Sequence, residues 1–147
     1  MKLHQLSLFL ENRAGTLVQP CDALAAAGIN LLALTLADTA EFGILRLVVK
    51  DWSRAKSVLE GAGFLVTVTE VVALEVPHEP RGLARVLDVL NQAKQTIEYM
   101  YAFGGALNPH SAVLVFRFAN TDQAIASLAS KGINAIAPAE LFDRLNA

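Results

Sequence analysis

Leu6, Leu8 and Leu10 share one parity of the segment 3–10, and Gln5, Ser7 and Phe9 share the other. A period of two predicts a strand with one buried face. The period then changes: Leu17, Cys21, Leu24, Ala25 and Gly28 recur at helical spacing. Thr16 stands where an N-cap belongs and Gly28 where a helix stops. Pro20 removes an early hydrogen bond, so the first turn is expected to be irregular. Residues 29–37 and 42–50 read as strands, joined through Asp38, Thr39, Ala40 and Glu41, a connection short enough for a hairpin. A short helix follows, capped by Asp51 or Ser53, with Ala55, Val58, Leu59 and Ala62 inward and Gly61 and Gly63 at its end. Residues 64–68 form a strand that continues or restarts over 71–76.

The same order then recurs. A strand over 71–77 leads into the turn His78-Glu79-Pro80-Arg81-Gly82, and Leu83, Val86, Leu87 and Leu90 define a helix face. Residues 96–103 and 112–118 read as strands, Asp122 caps a helix carrying Ile125 and Leu128, Gly132 ends it, and 133–136 is a last strand. Gly15 aligns with Gly82, the apolar run 44–48 with 113–118, and Glu-Gly-Ala-Gly-Phe at 60–64 with Ala-Ser-Lys-Gly-Ile at 129–133, a repeat of about 67–69 positions. Two βαββαβ units are therefore expected, 1–70 and 71–137, followed by a helical tail over 138–147 with Leu141, Phe142 and Leu145 inward. Each unit makes a four-stranded antiparallel sheet with its helices on one face. Side by side, the two predict an α+β fold with one eight-stranded antiparallel sheet whose helices share a face. The open face offers room for a second protomer.

Composition sharpens this picture. Of 147 residues, 54% are hydrophobic, above the usual 45–50% or so. A chain this short does not easily bury so much apolar side chain alone, so packing between units or protomers, most simply in a homodimer, is expected. The net charge of −2 comes without any Lys/Arg cluster, which argues against nucleic acid and anionic membrane as partners. Tyr99, Tyr101 and Phe103 superficially suit single-stranded RNA, but the acidic balance opposes it. The single cysteine, Cys21, allows no internal disulfide and fits a reducing compartment. The first residues lack the apolar block of a signal peptide, and the longest charge-free run falls short of a membrane span. A cytoplasmic location is expected.

His4, His78 and His110 are scattered and no Cys/His pair has metal-ligand spacing, so no metal or cofactor is expected. The glycines at 61, 63, 104 and 105 do not make a phosphate loop. No acid–base pair presents itself, and no enzyme activity is expected.

Residues Leu10 to Thr16 lead into a helix N-terminus, where unpaired N–H groups favour an anion such as a carboxylate. Gly15 permits close approach, and Asn12 brings both a carbonyl and an amide NH₂. Asn30 lies just past the other end of the same helix, and the two amides are expected to converge. Backbone N–H groups and two amides would suit the carboxylate and ammonium of an amino acid. Asn12 as an Asx turn and Asn30 as a strand-entry residue explain the same positions without a ligand.

The stretch Glu11-Asn12-Arg13-Ala14-Gly15-Thr16-Leu17, followed by Ala27-Gly28-Ile29-Asn30-Leu31, resembles the ACT domain, a ferredoxin-like amino-acid-sensing module. The segments 37–46 and 99–103 are similar to those of small stand-alone tandem ACT proteins of bacteria, and the resemblance covers essentially the whole chain. In the ACT domain of phosphoglycerate dehydrogenase, serine-binding amides occupy the positions matching Asn12 and Asn30, and Leu10 replaces a histidine there. The resemblance implies an amino-acid-binding regulatory protein, with the ligand held by residues 11–17, Asn30 and Leu31 at the first β–α loop and the joint between units. Asp38 and Thr39 are candidate acceptors near that joint, or simply turn residues. Tyr99, Tyr101 and Phe103 share one parity, with Met100 on the other; they either wall the pocket, or cover sheet surface or fill a protomer interface. In the second unit Glu79 is expected where Asn12 stands, and Ile97 or Glu98 where Asn30 stands. The alternative to a ligand sensor is a regulatory subunit that docks on a partner enzyme without binding a small molecule.

Overall fold

The computed structural model describes residues 1–38, 41–104 and 108–145. The chain divides into two compact units: His4–Thr69, and Glu70–Asn146 together with Met1–Leu3.

The first unit holds β1 (Leu3–Glu11), α1 (Val18–Ala26), β2 (Ala33–Asp38), β3 (Phe42–Val48), α2 (Trp52–Gly61) and the start of β4 (Val66–Pro77). Strand β3 pairs antiparallel with both β1 and β2, Leu6 facing Leu47 and Leu47 facing Leu34. The leucine parity of β1 is the buried one: Leu6, Leu8 and Leu10 pack with Leu45 and Leu47 of β3, Leu24 of α1 and Ala55 and Leu59 of α2. Both helices therefore cover one sheet face. Asp51 is the cap of α2, its carboxylate accepting from the Arg54 N–H at 3.0 Å.

The second unit contains the rest of β4, then α3 (Gly82–Gln92), β5 (Ile97–Gly104), β6 (Ser111–Phe118), α4 (Thr121–Ala129) and α5 (Pro138–Arg144). Its core joins Val72, Leu74 and Val76 to Leu114, Phe116 and Phe118, under Val86 and Leu90 of α3 and Ala124 and Leu128 of α4. The cap of α4 is Asn120, which accepts from the Gln123 N–H at 3.1 Å. Asp122 sits in the first turn and pairs with Lys2 at 3.0 Å. In α5, Leu141 and Phe142 are buried. Arg144 reaches Glu75 at 3.0 Å, and Glu75 leaves β4 on the face opposite Leu74 and Val76. The Glu75 carboxyl is held below its ordinary range by the Ser111 hydroxyl at 2.6 Å and then by Arg144.

The sheet has six strands, in the order β2-β3-β1-β4-β6-β5, and not eight. Two reasons account for the difference. Nothing between Val68 and Val71 breaks a strand, so the two expected segments are one continuous β4. The expected last strand is reduced to a single bridge, Ala135 opposite Leu74, because Pro138 opens α5 three residues later.

The duplication is visible in the backbone hydrogen bonds. Asn12 N–H to Glu41 O recurs as His78 N–H to His110 O, Arg13 to Glu11 as Glu79 to Pro77, and Ile29 to Leu24 as Gln95 to Leu90. Phe64 to Leu59 recurs as Ile133 to Leu128. The spacing is 66 residues as far as the central hairpin and 69 beyond it. The three extra residues fall between β5 and β6. This register corrects three expected matches. Gly82 is the counterpart of Thr16 and not of Gly15, His78 and not Glu79 stands in the place of Asn12, and Thr96 stands in that of Asn30.

Candidate functional site

The first β–α loop, residues 12–17, is exposed apart from half-buried Thr16. It is closed by its own backbone: Asn12 N–H donates to Glu41 O at 3.2 Å and Arg13 N–H to Glu11 O at 2.8 Å. Thr16 is not the helix cap. Its hydroxyl donates back to Glu11 O at 2.8 Å and Arg13 O at 3.0 Å, and α1 begins after Leu17 with no side-chain cap. Pro20 explains the late start. It has no N–H for the Thr16 carbonyl, so the helical ladder cannot extend back through that bond. In the second unit Val86 occupies the equivalent position, and α3 starts two residues earlier relative to the repeat. Gly15 adopts φ +89°, the left-handed region that glycine tolerates best.

Asn12 is placed by a missing side chain. A Cβ on Gly43 would lie 3.1 Å from Asn12 Oδ1 and 3.1 Å from Leu36 Cδ1. Gly43 faces Leu10 on β1 and Asp38 on β2, on the helix-covered side of the sheet. The carboxamide of Asn12 thus lies over the end of the sheet, beside Leu36, with Asp38 on the same face. Glu11 and Arg13 pair at 2.7 Å in the open, where such a contact contributes little. Thr39 lies outside the described residues.

Asn30 is elsewhere. Strands β1 and β2 both run antiparallel to β3, so they are parallel to each other. Leu10, Gly43 and Asp38 align at one end; Gln5, Val48 and Ala33 align at the other, five residues or about 17 Å away. Asn12 follows the first end and Asn30 precedes the second. The expected convergence of the two amides does not occur within the unit, because a helical crossover returns the chain to where the first strand began. Asn30 instead lines a cavity of about 220 Å³ with Lys50, Asp51 and Arg54. There Arg54 Nη2 donates to Ala27 O at 2.6 Å, and Leu31 packs against the first core.

The aromatic segment belongs to the second unit. Met100 packs against that unit's core. Tyr99 and Tyr101, opposite Arg117 and Val115, are half-buried on the other face of β5. A bulge between Ile97 and Tyr99 accommodates Glu98, which pairs with Arg117 at 3.1 Å. The side chain of Phe103 lies outside the described residues. Gly43 and Leu36 border the candidate site and are not among the residues the sequence pattern singles out. The available signal was a glycine at the core parity of β3, in line with Leu45 and Leu47.

Among the described residues no group of three His, Cys, Asp or Glu side chains is placed to hold a metal ion. Among them, too, no helix is long and apolar enough to cross a membrane.

Comparison with known proteins places this geometry. The protein BT0572 of Bacteroides thetaiotaomicron superposes with a TM-score of 0.90 at 40% identity, over 97% of this chain and 96% of that one. The regulatory subunit of aspartate kinase from Thermus thermophilus, in its ligand-free form, shares the fold with a TM-score of 0.62 at 15% identity, over 88% and 91%. The corresponding subunit from Thermus flavus gives 0.62 at 15% identity, over 88% and 92%. No protein of curated function matches the sequence. The model of the ACT domain pair matches residues 1–145. With the duplicated βαββαβ order and the register above, the chain belongs to the ACT domain-pair family.

Proposed function

We propose that this ACT pair is a regulatory protein that binds a small amino acid at the first β–α loop and passes its occupancy to a partner enzyme. The observation that carries the reading is the carboxamide of Asn12 over Gly43, with Gly15 in the left-handed region and Asp38 on the same face. An amide with donor and acceptor, beside a carboxylate, suits a zwitterion. The duplicated fold by itself does not require this amide, because His78 fills the equivalent place in the second unit.

A homodimer completes the reading. Strand β2 is a sheet edge, and Leu34 and Leu36 on it are 52% and 49% exposed. A twofold dimer through this edge would set two β2 strands antiparallel, which carries the Asp38 end of one copy to the Ala33 end of the other. Asn12 and Asn30 would then meet between copies, as they do not within one. Ligand would favour the dimer only to the extent that it binds the dimer better.

A thermal-shift screen of the twenty amino acids tests the reading. Ligand at a hundredfold excess over Kd should stabilise the protein by about 2.7 kcal/mol. No shift from any of them at millimolar concentration would overturn the sensor function. A docking subunit without a ligand is the second reading, favoured by Phe9 and Phe42. They are 60% and 46% exposed on the sheet face away from the helices. Under it, Phe9→Ser would abolish partner binding while amino acids change nothing.

A further inference from the structure

The second unit contains a pocket at the position that Asn12 and Leu36 occupy in the first. It measures about 350 Å³, with Val76, Leu83, Ala102, Ala112 and Leu114 as apolar walls and His78 and Glu79 as its polar members. The hydrogen-bond register makes it the duplicate of the first-unit site. Ala112 corresponds to Gly43, Ala102 to Leu36, Val76 to Leu10 and His78 to Asn12. In the first unit the leucine side chain and the Asn12 carboxamide both reach 3.1 Å from the Gly43 Cβ position. In the second, the leucine is an alanine, and the space it would fill is open. Ala102 opposite Leu114 lies on the helix-covered face beyond Met100, so the pocket is a continuation of the core toward the loop.

We propose that this pocket is a second ligand site, and that it takes an L-amino acid with a medium or large apolar side chain. Its volume lies within the range of small-molecule sites, about 300–1,000 Å³, and its lining follows their pattern of apolar walls with a few polar groups. Glu79 supplies an acceptor for an α-ammonium group. His78 supplies an imidazole whose ring N–H can donate to the α-carboxylate, while Arg85, ion-paired with Glu79 at 3.0 Å, lines a neighbouring cavity. The side chain enters between Leu83 and the two alanines. The two units would thus sense different amino acids: a small one under Asn12, and an apolar one under His78. The proposal rests on amino-acid binding as the business of this chain, but its site and its chemistry are separate from those of the first loop.

The test is NMR of the full chain labelled at alanine methyl groups, titrated with L-leucine, L-methionine and L-phenylalanine as probes. Movement of the Ala102 and Ala112 methyl signals with at least one probe, persisting in Asn12→Ala, is the expected result. Ala102→Leu copies the first unit and should weaken that binding at least tenfold. Glu79→Gln, at an exposed position that leaves the core intact, should weaken it several-fold. Unmoved alanine signals with all three probes, or equal affinity in Ala102→Leu and Glu79→Gln, would overturn the second site. If glycine or serine, titrated in the same way, shifts only the Ala14 methyl signal of the first loop, the first-loop reading stands and the second falls. If nothing in either unit moves, both fall.

Discussion

In the loop before α1, Gly15 stands at φ +89° with no atom within 4 Å of where its Cβ would be. In the loop before α3, Gly82 has helical backbone, and a Cβ there would lie 2.0 Å from the Pro77 carbonyl oxygen. The two loops close with the same hydrogen bonds, yet their glycines are one position apart in the repeat and answer different demands. The first is required by backbone torsion, the second by the approach of one backbone to another. The helix C-termini differ in a complementary way. Gly28, past α1, has φ +66°; its counterpart past α3, Lys94, holds φ +53° with a side chain. Duplication has preserved the hydrogen-bonded frame and let each unit meet the same local constraint with a different residue. The sheet ends diverge with the same freedom: Leu36 and Asn12 crowd Gly43 in one unit, and a pocket lies against Ala102 and Ala112 in the other.

This contrast can be broken at several points. Gly82→Ala should have the largest effect, about 3 kcal/mol of lost stability in urea denaturation, because the backbone must move to admit the methyl group. Asn12→Ala should weaken amino-acid binding about tenfold by calorimetry, equivalent to about 1.4 kcal/mol and one lost polar contact. Equal stability losses in Asn12→Ala and His78→Ala, with binding untouched, would make the amide a turn residue only. Gly15→Ala should cost about 1 kcal/mol, through torsion alone, since there is space for the methyl group. A loss as large as that of Gly82→Ala would contradict the distinction between the two glycines. Lys94→Gly should stabilise the protein by about 0.5 kcal/mol, the relief of a left-handed lysine less the added freedom of glycine in the unfolded chain.

The smallest effect concerns the latch of α5, which has no counterpart in the first unit. The Glu75 carboxyl is depressed by Ser111 and Arg144, so the folded state binds its proton more weakly than the unfolded chain does. Its contribution is therefore complete above the unfolded value, about pH 4.3, and disappears as pH falls through the lower folded value. The difference in urea midpoint between the native protein and Glu75→Gln should hold from pH 7 to 5 and narrow below about pH 4. A constant difference across that range would show that the ionic latch is not what fastens α5.

Much of the fold was legible along the chain. The leucine parity of β1 predicts its buried face, and Asp51 caps the helix assigned to it. The matches of 44–48 with 113–118 and of Phe64 with Ile133 hold at 69 residues. Thr16 misleads because a hydroxyl that can cap a helix can also donate to a loop carbonyl, and Pro20 decides between them by displacing the helix start. The eight expected strands become six because period-two patterning has no mark for where one unit's strand becomes the next unit's, and because the last one shrinks to the Ala135 bridge ahead of α5.

Local sequence determined what depends on neighbours within a few residues: strand and helix periods, the turns that need a left-handed glycine, and the duplicated order of elements. Those properties follow from sterics and side-chain spacing along one segment. Tertiary structure alone decided that Asn12 and Asn30 stand at opposite sheet ends, that Gly82 is pressed against Pro77, and that Leu36 lies against Gly43 while Ala102 borders a pocket. These are distances between segments remote in sequence. They depend on strand register, which a residue pattern constrains only to a parity and pairing sets to a single partner.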